Sequence, residues 1–150
     1  MASPFPFTAG QVLTAAQLNG IGEYSAYTPT FTDISFSSYT ARYAIVNKLL
    51  HVWFSGILDA AVTGAIEISA PVETAPSNTQ AVFGGSCYGI DDNTGGTYFG
   101  RTLTRSDDTF RFYSSTVDGS SASGNQWDAT APFTWASGDL LSFSIVVEAS

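Results

Sequence analysis

Residues 40–58 read TARYAIVNKLLHVWFSGIL, and this stretch decides the fold. Residues 40–46 and 50–58 are rich in β-branched and aromatic side chains, which fit the pleated, half-buried surface of a sheet. Asn47 and Lys48 stand between the two runs, so the pair is expected to fold back on itself as a hairpin. The same alternation continues along the chain and predicts further strands over residues 26–31, 64–69 (closed by Pro71), 80–89, 97–104, 109–115 and 140–148. Turn-forming clusters, Asp91-Asp92-Asn93-Thr94-Gly95-Gly96 and Ser106-Asp107-Asp108, fall between the runs. Residues 114–125 make a longer loop with no period. About eight strands is the usual number for a double-sheet jelly roll. The expected fold class is therefore all-β, a jelly-roll-like antiparallel β-sandwich.

Ahead of this body, residues 7–19 read FTAGQVLTAAQLN and have helical spacing. Thr14 is a good N-cap, Gln17 completes a capping box, and Gly20 and Gly22 supply the backbone freedom that ends a helix. A helix this short is marginal alone in water. Its apolar residues, Val12, Leu13 and Leu18, are too few to build a core, so the segment is expected to pack on something else. The chain thus divides into an N-terminal anchoring segment with a short helix, residues 1–23, and a β head, residues 24–150. The anchor is assigned to Phe7, Val12, Leu13 and Leu18, with Thr14 and Gln17 as the helix cap.

A chain of 150 residues suits one domain with a sizeable core. Charged residues are only 12% of it, against about a quarter in ordinary globular proteins, while serine, threonine, glycine and aromatics abound. The formal charge of −8 argues against nucleic acid or an anionic membrane as partner. No basic leader with an apolar core is read at the N-terminus, and no apolar run approaches the roughly 18 residues of a membrane span, so neither signal-peptide export nor membrane insertion is expected. Cys87 is the single cysteine, which excludes an intrachain disulfide; lying in one strand-like run with Ala81 and Phe83, it is expected to be a buried, inert thiol.

Chemistry finds little purchase. His51, the single histidine, lies in a strand between Leu50 and Val52 with no nucleophile motif, so it reads as a strand-face residue and not as a general base. The acids Asp91, Asp92, Asp107, Asp108, Asp118 and Asp128 sit in turns, where carboxylates cap backbone amides more often than they hydrolyse glycans. The DDNTGG loop, residues 91–96, offers oxygens to calcium but lacks EF-hand spacing, and the solvated turn is the better reading. Gly84-Gly85 and Gly95-Gly96 lack the lysine and following helix of a phosphate loop. No enzyme, no cofactor and no metal is expected. Aromatics are the stronger signal: Tyr24, Tyr27, Phe31, Phe36, Tyr39 and Tyr43 crowd the early body, and a second group follows from Tyr98 to Trp135. Many fill the core, yet together they exceed what a monomer needs and point to self-association.

Residues 7–19, followed by the YTPTF of residues 27–31, resemble the opening of small bacteriophage virion proteins of the tail-fibre, minor-tail and head-fibre type. Residues 41–58 are similar to that family's pair of strands around a Y-x-x-x-x-K turn, and residues 134–148, TWASGDLLSFSIVVE, look like the final strand of trimeric jelly-roll fibre heads. The resemblance implies a homotrimer on the virion surface, made in the bacterial host cytoplasm. It implies a structural role, with the N-terminal peg docked to other virion proteins of the tail, baseplate or capsid. The head then faces outward as a tail fibre or receptor-binding head, or alternatively as a capsid decoration (cement) or head-fibre protein. A host surface glycan or protein is the expected outward partner. For that contact the loops at Asp92, Asn93 and Thr97, and at Asp118, Asn125 and Trp127, are nominated.

Overall fold

The computed structural model describes residues 22–74, 82–104, 107–114 and 126–149, together with Val12 and Thr14. Nine strands follow in chain order: β1 (Ser25–Ala26), β2 (Phe31–Thr32), β3 (Phe36–Val46), β4 (Leu49–Leu58), β5 (Glu67–Ser69), β6 (Val82–Ile90), β7 (Thr97–Thr104), β8 (Thr109–Ser114) and β9 (Leu140–Glu148). All pair antiparallel in one sheet of order β1-β3-β4-β9-β6-β7-β8-β5-β2. The decisive hairpin forms as expected: Val46 faces Leu49, and Asn47 and Lys48 both adopt positive φ, 51° and 65°. That backbone gives a two-residue turn the twist of the strands it joins.

The sheet curls on itself. Phe31 of β2, at one end of the strand order, lies 4.8 Å from Phe36 and 5.2 Å from Tyr39 of β3, near the other end. Phe110 and Phe112 of β8 meet Phe143 of β9 across the interior at 5.5 and 5.0 Å. Alternation supplies the core, with Leu50, Val52, Phe54 and Leu58 from β4 and Leu141, Phe143, Ile145 and Val147 from β9 all buried. The connection between β8 and β9 adds Trp127, Phe133 and Trp135 to this core. Both indoles keep a partner for their N–H, Trp127 donating to the Ser114 hydroxyl and Trp135 to the Ala131 carbonyl.

The all-β, antiparallel class is as the sequence implies, and its detail differs. The ladder of hydrogen bonds runs unbroken through nine strands, so there is one curled sheet in place of two separate ones. Residues 26–31 do not form a single strand: Pro29, which has no N–H to donate, is buried between the two-residue pieces β1 and β2. Residues 64–66 drop out of the next strand because their neighbours lie elsewhere, the Thr63 amide donating to the Asp33 carbonyl and the Ile66 amide to the Trp127 carbonyl. Among the described residues there is no helix; of the expected N-terminal helix only Val12 and Thr14 are described, and neither has regular structure. Cys87 is buried, and that burial pushes its thiol up to about 12, the inert state expected of it.

Candidate functional site

Strand alternation that buries one set of side chains sends the other set outward. On β4 the outward set is Leu49, His51, Trp53, Ser55 and Ile57. Register extends each into a row across the sheet. Trp53 lies between Arg42 of β3 and Ser144 of β9, and the row continues to Ser86 and Arg101. The next row runs Ser55, Ser142, Tyr88, Phe99, and the one beyond it Ile57, Leu140, Ile90, Thr97. On the other side of Trp53, His51 pairs with Val146 and Leu49 with Glu148.

This outer face carries far more apolar surface than a solvated sheet needs. Phe99 is 67% exposed and Trp53 42%, and Leu49, Ile57, Tyr88 and Val146 are exposed as well. Tyr88 and Phe99, opposite one another, hold their rings 6.5 Å apart. A sheet with one wet face normally alternates apolar inside with polar outside. Contiguous exposed apolar side chains mark a contact surface. Ser86, Ser144, His51 and the two arginines among them add polar groups, so the face can hold a partner both by burial and by polar contacts.

The sequence-nominated residues lie elsewhere. Asp92, Asn93 and Thr97 are exposed in and beside the β6–β7 turn. The Asp91 carboxylate is occupied within that turn, accepting from the Asn93 amide and from the amide and hydroxyl of Thr94. The buried Asp139 carboxylate anchors the turn to the residues before β9 by accepting the Asp92 and Ala136 amides. Trp127 corrects the outward assignment: it is fully buried, its ring filling the space that the missing side chain of Gly100 leaves. Val12 and Thr14 are exposed. Phe7, Leu13, Gln17, Leu18, Asp118 and Asn125 lie outside the described residues.

Three turn carboxyls are held below the usual range. For Asp128 the main cause is the hydrogen bond from the Thr130 amide, and for Asp91 that from the Thr94 hydroxyl. For Asp107 burial works against ionisation but is outweighed by the Thr109 hydroxyl and by Arg111, which also pairs with Glu67. A carboxyl whose folded pKa is depressed stabilises the fold above its unfolded pKa, and that contribution is lost as pH falls through the folded value. The urea midpoint, followed by tryptophan fluorescence, is therefore expected to stay level from about pH 7 to about pH 5 and to fall below about pH 4. Asp107→Asn and Asp128→Asn should each flatten the acid limb; an unchanged limb in both would remove these turns as its cause.

Of the aromatics in the later group, Phe110 and Phe112 of β8 point inward, while Arg111 between them pairs with Glu67. The two-faced strand is β4. Its signal was present in LLHVWFSGIL, where Leu49, Trp53 and Ile57 stand at the alternate positions to Leu50, Val52, Phe54 and Leu58. Comparison with protein-family models, with curated proteins and with solved structures finds no match.

Proposed function

We propose that the chain is a non-enzymatic structural protein of the bacteriophage surface: a jelly-roll-like head that associates with copies of itself, as a trimer, and is tethered to the particle by residues 1–23. The observation that carries this reading is the apolar outer face of the sheet, above all the half formed by Ile57, Tyr88 and Phe99 on β4, β6 and β7. Left in water that surface invites association; covered by neighbouring copies it becomes the inside of a rigid head. The low charge and the resemblance of residues 7–19 and 27–31 to virion proteins support the same reading. Three copies present each outward loop three times, so weak contacts with a host surface add through effective concentration.

The test is immunogold labelling of purified particles with an antibody against residues 24–150, together with the solution mass of the isolated chain by light scattering. A trimer mass and gold at the tail tip are expected. Gold spread over the shell would make the chain a decoration or head-fibre protein. Particles without gold, or a chain that stays monomeric at all concentrations, would overturn the proposal.

A further inference from the structure

At the β1–β3 side of the outer face, Tyr24, Arg42, His51, Trp53, Ser144 and Val146 border an open groove of about 290 Å³. That is near the lower end of small-molecule clefts, roughly 300–1,000 Å³. Tyr24 is 51% exposed and stands with Trp53 as an aromatic border to the groove. Arg42 is the cross-strand neighbour of Trp53 and Ser144 lies on the other flank. Both ion pairs among the described residues belong to Arg111, and Arg42 enters neither. Arg42 is exposed, so its guanidinium is open to an anion from outside the chain.

The chemistry of the border narrows that anion. Flat aromatic rings cover the apolar C–H face of a pyranose. Tyrosine and serine hydroxyls and a histidine ring exchange hydrogen bonds with its hydroxyls. A guanidinium takes a carboxylate through two parallel N–H···O bonds, which a neutral sugar cannot return. We propose that this groove binds a carboxylate-bearing sugar, a uronic- or sialic-acid unit of a surface glycan. The inference rests on the proposed attachment role and names the chemistry of the receptor. The groove spans the Trp53 row and the His51–Val146 pair, whereas Tyr88, Phe99 and Ile57, the residues assigned above to self-association, lie in the rows on the other side of Trp53.

Four probes test it on the full chain: 3′-sialyllactose against lactose, and a glucuronate-terminated oligosaccharide against its glucose-terminated counterpart. Binding is read by calorimetry, and solution mass and unfolding midpoint are measured for each protein. The wild type is expected to bind at least one acidic sugar about tenfold or more tightly than its neutral partner, the size of one charge-assisted hydrogen-bonded contact. Arg42→Gln should abolish that preference with mass and midpoint unchanged, because its side chain is exposed, and Trp53→Ala should weaken the binding itself with mass unchanged. No binding to any of the four probes, or equal binding within each pair, overturns the proposal. So does a drop in mass in either variant, which would assign the groove to contact between copies. Gold labelling of particles is independent of these outcomes, so the groove can fail while the virion role stands, and the reverse.

Discussion

Phe54→Ala is expected to remove about 3–5 kcal/mol of stability, the range for deleting a fully buried aromatic ring. Phe54 sits where the curl closes. Its ring stacks on Phe143 at 5.3 Å and on Tyr39 at 5.9 Å, and meets Phe36 at 5.1 Å and Phe31 at 6.1 Å. Removing it strips contacts from β2, β3 and β9 together, and these neighbours belong to strands whose hydrogen bonding limits their collapse into the space. The backbone beside it is also committed, since the buried Ser142 hydroxyl donates to the Phe54 carbonyl. Against a total of about 5–15 kcal/mol for a domain, the loss should be visible as a much lower urea midpoint with an unchanged slope. Because an associating chain is stabilised by its own concentration, wild type and variant must be compared at one protein concentration. A loss below about 1 kcal/mol, the size of an ordinary point mutation, would mean that the two ends of the sheet do not meet around this ring.

Gly85→Ala should be more severe still, giving no soluble folded protein. A Cβ at Gly85 would lie 1.9 Å from the Ser144 carbonyl oxygen and 2.7 Å from the Ile145 Cα. Both obstacles are backbone of β9, which is paired to β6 at this point, so no rotamer change relieves the clash. The register between β6 and β7 already shifts between Phe83 and Gly85, leaving no slack on the other side. The matched control is Gly95→Ala, where φ is +71° and nothing lies within 4 Å of the added atom. It should cost only about 1 kcal/mol of backbone strain. Soluble yield and far-ultraviolet circular dichroism of the two variants check the contrast; a Gly85→Ala protein with wild-type midpoint would show that β6 does not approach β9 this closely.

Local features of this fold could be read from the residues, and long-range ones could not. The bounds of β7 and β9 follow from alternation framed by turn formers, and the Asn47-Lys48 turn from the two runs on either side. Such signals lie within a few residues of one another. The placing of β9 between β4 and β6 rests on partners as far apart as Phe54 and Ser142, 88 residues, and no local pattern states it. Trp127 shows the same limit at one residue. Its glycine- and serine-rich approach reads as exposed loop, while its burial is decided by the room beside Gly100. The apolar outer face was missed for a related reason: a strand apolar on both faces reads as doubly buried, and only the sheet order shows that among the described residues no layer covers one of its faces.

The central position of β9 also sets the order in which the molecule can assemble during synthesis. Until residues 140–148 leave the ribosome, β4 and β6 each present an unsatisfied inner edge, and the β3–β4 hairpin has no link through the sheet to the β6–β7–β8 meander. Such edges are templates for pairing with other nascent chains. Pairing at high contact order also makes all-β domains slow, about milliseconds to seconds even when stable. Completion of the sheet therefore waits for β9, and a chain stalled before residue 140 would carry two unjoined, aggregation-prone groups of strands.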